Sequence, residues 1–114
     1  MPPRNWRMRL QDILECIDRI EQYTHGMDFV QFHNSEKTLD AVIYNFAVIG
    51  EAARHVPSEV TDRYPQVPWM DMRDMRNLVI HEYSAVDPRI LWDTIKEDLP
   101  PLTPLLRDML ENEP

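Results

Sequence analysis

Apolar residues return every three or four positions along most of this chain, a spacing that predicts helices separated by short breaks. Trp6, Leu10, Ile13, Leu14, Ile17 and Ile20 mark the first stripe, with Arg9, Asp12, Glu15, Asp18 and Arg19 in the gaps. An amphipathic helix is predicted there from about Arg4 to Tyr23, stopped near Gly26. Met27 to His33 is read as a turn of helix around Phe29, Val30 and Phe32, and Asn34 or Ser35 can cap the next helix. Leu39, Val42, Ile43, Phe46, Ile49, Gly50 and Ala53 trace a second long stripe, ended by Pro57 at about Val56. A glycine inside a helix costs about 1 kcal/mol relative to alanine, so Gly50 points to the close approach of another helix.

Beyond that break, Ser58 to Tyr64 reads as a short helix, and Pro68 suits the first turn of a helix from about Trp69 to Tyr83. Asp87 caps the next helix and Pro88 opens it, with Leu91, Trp92, Ile95 and Leu99 facing inward. Pro100 and Pro101 kink or restart that helix, yet Leu102, Leu105, Leu106 and Met109 resume the stripe. No stretch alternates as a strand does, and two glycines leave few sites for the tight turns of an all-β fold. The expected architecture is all-α: one domain, residues 1–114, forming an antiparallel bundle of four to five helices.

Composition narrows the class of protein. Hydrophobic residues make up 43% of 114 residues, enough for one packed core. No apolar run approaches the roughly 20 residues of a membrane span. No charged-then-apolar leader opens the chain, and Cys16 stands alone, so no internal disulfide can form. A cytoplasmic protein with no membrane partner is expected. The net charge of −8 argues against coating nucleic acid through bulk electrostatics, and no DNA partner is expected. Any RNA contact must be local. Arg4, Arg7 and Arg9 form one basic group, which serves equally to solvate an exposed helix end, and Arg73 with Arg76 forms another.

The second group lies beside the densest chemistry in the chain. Arg76, Asn77, His81 and Tyr83 set a cation, an amide, an imidazole and a phenol within eight residues of one predicted helix. A histidine near neutrality can move a proton, and a guanidinium can hold charge that builds on phosphate oxygens as a bond breaks. At about 100° per residue, Asp74, Asn77 and His81 share one face, and Met72, Met75 and Val79 another; Arg76 falls about 140° round from His81. Three arrangements reconcile the two: the arginine reaches around, the helix ends before His81, or a second protomer supplies the missing group. A twofold dimer with this helix at its axis is the favoured one. The plainer alternative pairs Arg76 with a nearby acid and leaves His81 as a solvated or capping histidine. His81-Glu82 begins like a zinc-binding His-Glu-x-x-His, but Ala85 occupies the second ligand position, so no metal site is expected. His25, His33 and His55 read as surface residues, and the methionines as gap filling in the core.

The run Arg76-Asn77-x-x-x-His81-x-Tyr83 resembles the signature of the HEPN superfamily, in particular its HepT-like toxin branch. So do Ile49-Gly50-Glu51-Ala52-Ala53, Pro68-Trp69, Trp92 and Leu99-Pro100, which spread the resemblance over nearly the whole chain. Asp74 departs from it, standing where a small residue is expected and placing an acid beside the site. The resemblance implies a homodimeric HEPN-like bundle acting without cofactor or metal as an endoribonuclease toxin of a type VII-like system. By position it makes Arg76 and His81 the catalytic pair, Asn77 a residue that positions the site, and Tyr83 the target of AMP transfer by a cognate minimal nucleotidyltransferase antitoxin. A second reading keeps the fold without the catalysis: a helical adaptor that binds and regulates a nucleotidyltransferase partner. A generic dimeric helical module is the third.

Overall fold

Asn5 begins the first helix by accepting the backbone N–H of Met8, and α1 runs over Trp6–Thr24 before Gly26, at φ 76°, turns the chain where a side chain would be strained. The computed structural model describes residues 5–82 and 86–113, apart from the side chains of 78–82. A reciprocal capping box between Asp28 and Gln31 starts the five-residue α2, Phe29–His33. Ser35 caps α3, Glu36–Arg54, and α4 comes next as a single turn, Ser58–Thr61. The predicted end of α3 near Val56 is two residues late. Val56 precedes Pro57, whose ring pushes the residue before it out of helical backbone, and His55 already caps the helix with its N–H on Ala52 and Ala53 carbonyls.

Helix α5 spans Trp69–Glu82, anchored at its start by the buried Trp69, whose indole N–H donates to the carbonyl of Tyr64 at 3.0 Å. Asp87 accepts the N–H of Arg89 and Pro88 opens α6, Pro88–Asp93, as the sequence predicts. The chain then passes through a π turn, Thr94–Asp98, directly into α7, Leu99–Asn112. The Leu99 N–H reaches back five residues to the Thr94 carbonyl, so Pro100 and Pro101 neither kink nor stop the run but enter it through a widened turn. No strand occurs among the described residues.

The long helices assemble as an all-α, HEPN-like bundle in which α3 packs against both α1 and α5, while α7 packs on α1 and α2 on α6. The first turn of α1 meets the last turn of α7, which makes those two helices antiparallel: Arg7 donates to the carbonyls of Leu110, at 3.1 Å, and Glu113. Leu10, Ile13, Ile17 and Ile20 of α1 interlock with Val42, Phe46 and Ile49 of α3, Met72 of α5, and Leu102, Leu106 and Met109 of α7 in one buried cluster. Each such side chain contributes about 1.5–3 kcal/mol of transfer free energy, and the apolar spacing read from the sequence selects them. At the α2–α6 end, Trp92 packs edge-on to Phe29 and obliquely on Phe32, and remains only partly buried. No described helix is long and apolar enough to cross a membrane.

Cys16 sits inside this core, and burial pushes its thiol up to about 11, aided by the charges of Asp12 and Glu15 against an opposing pull from Arg19. Only the thiolate attacks thiol reagents. At pH 8 the folded protein is therefore expected to resist labelling, with the adduct appearing only at denaturant concentrations that unfold the chain. Rapid labelling in native buffer, followed by absorbance of the released thiol, would show that the α1–α3 core is open on that side.

Candidate active site

The site is built on the crossing of α3 and α5. A Cβ placed on Gly50 would lie 2.5 Å from the backbone nitrogen of Arg76, 2.6 Å from its Cβ and 3.0 Å from its Cα. Only hydrogen fits there, so the helices touch backbone to backbone at the arginine itself. The close approach that Gly50 predicts is thus real, and its partner is the motif arginine. One residue on, Glu51 places Oε2 2.7 Å from Arg76 Nε. Glu51 engages the guanidinium at Nε, and it is the paired donors of the Nη edge that match the oxygens of a phosphate. The arginine is two-thirds buried and its partner acid about as exposed, so the pair holds a guanidinium in place at the protein surface.

The same carboxylate gathers two more groups from the end of α3. Arg54 Nη1 lies 3.5 Å from Oε2, and His55 Nδ1 lies 3.6 Å from Oε1. Both are exposed, and His55 Nδ1 also sits 2.8 Å from the backbone carbonyl of Glu51. Sequence reasoning treats His55 as a solvated surface residue and gives Arg76 no specific acid. The four-residue spacing of Glu51 and His55 carries the signal, but nothing in the linear pattern says which face of α3 meets Arg76.

On α5 itself, Asp74 and Asn77 are exposed, Met72 is buried, and Arg73 and Met75 are partly buried, which matches the predicted division of faces for those residues. Arg73 borders a shallow cleft with Thr61, Pro65, Val67 and Trp69. The backbone of α5 stays helical through Glu82, so the helix does not end before His81. Position 81 therefore lies about 140° round the axis from position 76, as the arithmetic requires. The side chain of His81 is not among those described, and Tyr83 and Arg4 lie outside the described residues. Arg7 is engaged elsewhere: its guanidinium covers the Trp6 ring at 4.7 Å and satisfies the orphan carbonyls that end α7. Among the described residues no group of three His, Cys, Asp or Glu side chains could hold a metal ion.

The profile of a family described as Ribonuclease HepT-like matches residues 13–109, which include Gly50, Glu51, Arg76 and His81. A Thermococcus cleftensis protein named "Probable ribonuclease HepT" is 41% identical over 99 residues, covering 87% of this chain and 90% of that protein. Two further relatives bear provisional RNase names. One, from Methanocaldococcus jannaschii, is 36% identical over 88% of this chain and 92% of its own length. The other, from Caldanaerobacter subterraneus subsp. tengcongensis, is 31% identical over 94% of this chain and 96% of its own. No solved structure matches the chain.

Proposed function

Because the chain belongs to the HepT-like ribonuclease family, we propose that it is a metal-independent endoribonuclease, the toxin of a type VII-like toxin–antitoxin pair. The observation that carries this reading is Arg76, held at a backbone-tight helix crossing by Gly50 and Glu51 within a chain that matches the family over residues 13–109. A fixed guanidinium stabilises charge on a phosphorane-like transition state without reorganising as the reaction proceeds. His81 takes part in proton transfer as the RNA 2′-hydroxyl attacks the adjacent phosphorus and the bond to the 5′-oxygen breaks. The products are a 2′,3′-cyclic phosphate and a free 5′-hydroxyl. Asn77 positions the site, and Arg73 contributes a local cation for the RNA backbone.

Arg76 and His81 are assigned to a composite cleft in a homodimer. Two facts support this: α5 is continuous through Glu82, which leaves the two positions diverging, and the guanidinium of Arg76 is committed to α3 of its own protomer. Neutralisation is assigned to AMP transfer from ATP onto Tyr83 by a cognate minimal nucleotidyltransferase. The added phosphodiester brings bulk and a negative charge to the site, which excludes RNA by sterics and like-charge repulsion.

Incubating the purified chain with that partner and ATP tests the scheme. Mass spectrometry is expected to find AMP on Tyr83, with cleavage of RNA abolished, while Tyr83→Phe escapes the modification and goes on cutting. An adduct on another residue overturns the role given to Tyr83. An adduct on a protein that never cuts RNA replaces the enzyme with the adaptor.

A further inference from the structure

The transesterification needs two proton transfers: one off the 2′-hydroxyl and one onto the leaving 5′-oxygen. The motif supplies one histidine per chain, and the fold gathers a second, His55, on the carboxylate that holds the motif arginine. We propose that His55 is the general acid of this site, donating from Nε2 to the 5′-oxygen; the inference rests on the ribonuclease reading above and assigns a proton-transfer residue outside the motif.

Three observations carry it. First, His55 and Arg76, twenty-one residues apart and on different helices, meet at one carboxylate: Nδ1 of His55 is 3.6 Å from Oε1 of Glu51, and Nε of Arg76 is 2.7 Å from Oε2. The imidazole and the guanidinium thus share one carboxylate, which gathers both on the same patch of the α3–α5 surface. Second, the ring is oriented. Nδ1 lies 2.8 Å from the Glu51 carbonyl, and a carbonyl only accepts, so Nδ1 carries hydrogen and Nε2 is the nitrogen left for proton exchange. Third, the side chain is about half exposed, so a polymeric substrate can reach the ring. His25 and His33 share none of this: His25 caps α1, and His33 lies against the ring of Phe29 at the α2–α6 end.

The step balances. The 2′-oxygen forms its bond to phosphorus and gives its proton to His81, the bond from phosphorus to the 5′-oxygen breaks, and that oxygen takes the proton of His55 Nε2. His55 ends neutral and His81 protonated, and exchange with water resets both. The charged group against the imidazole is Glu51 of α3, and the same carboxylate also meets Arg54 of α3 and Arg76 of α5.

His55→Asn tests the assignment, because its amide can keep the contact to the Glu51 carbonyl while removing Nε2. With helical content unchanged by circular dichroism, kcat on RNA is expected to fall about 10²–10⁴-fold with little change in KM. An acid works only while protonated, so it produces the limb on which activity falls as pH rises, and that limb is expected to vanish in the variant. A substrate whose 5′-bridging oxygen is replaced by sulfur leaves as a thiolate and needs no proton. On it, His55→Asn is expected to match the parent. A variant that retains the parent's rate and pH profile on RNA overturns the proposal, as does one equally slow on both substrates. A parent chain that cuts no RNA overturns the ribonuclease reading and this inference together.

Discussion

Alanine at position 81 is expected to lower RNA cleavage by about 10²–10⁴-fold, the range that a proton-transfer side chain contributes. Alanine at position 76 is expected to cost about 10²–10³-fold, as the loss of a fixed donor to developing oxyanion charge does. The change at position 76 removes no core contact: Arg76 is partly exposed, and its guanidinium contacts Glu51 at the surface. Helical content and unfolding midpoint of that variant should therefore stay close to the parent's. Expression without antitoxin should arrest growth for the parent chain and for neither variant. Because the two residues diverge on a continuous α5, mixing the inactive chains should restore part of the activity, since some mixed dimers assemble one site with both groups. His81→Ala as toxic as the parent would discard His81 from the mechanism. A sedimenting monomer that cleaves at full rate would discard the composite cleft.

The second large effect is expected at Gly50. Alanine normally improves a helix interior by about 1 kcal/mol over glycine. Here its methyl group would stand 2.5–3.0 Å from backbone and Cβ atoms of Arg76, none of which can swing aside as a flexible side-chain tip would. The helices must separate, and overpacking of this kind costs about 1–3 kcal/mol, so the steric term wins. Gly50→Ala is therefore expected to unfold at lower urea concentration than the parent. It should also lose cleavage activity in urea-free buffer, because a displaced α5 carries Arg76 away from Glu51. Equal or greater stability with full activity would mean that the crossing is looser than the structure has it.

Gly50 also marks how far the sequence could be read. A glycine in the middle of an apolar stripe has few uses, and a close helix crossing is the one it serves. The core was legible for the same reason: burial selects a three- and four-residue period, and Leu10, Ile17, Phe46, Ile49, Leu102 and Leu106 obey it. Caps at Asn5, Ser35 and Asp87 arise from side chains that can accept backbone N–H groups, although Asn5 does not stand out among the arginines around it. What escaped were contacts whose partners are distant in sequence. Glu51 of α3 holding Arg76 of α5 depends on the rotation of two helices about their own axes, which hydrophobic spacing fixes only to within a face. The same holds for Glu113, whose carboxylate receives Tyr64 Oη at 2.6 Å and Arg63, and whose carbonyl receives Arg7. For the motif itself, the helical arithmetic was informative because it disagreed with a single-protomer site, and the continuous α5 removes one of the three ways around that disagreement.

The π turn at Thr94–Asp98 ties chain length to proline content. A proline ring collides with the carbonyl four residues back in a regular helix, and Pro100 and Pro101 pose that problem twice in succession. Reaching back five residues at Leu99 inserts one extra residue into the turn just before them, while Leu91 and Ile95 on one side and Leu102 and Leu106 on the other still meet the core. Deleting a single residue there would restore an ordinary turn and force the prolines into it. Replacing the prolines without the deletion would leave a wide turn with nothing to accommodate. Within this stretch a gap in one family member and the loss of its prolines should therefore occur as one evolutionary event.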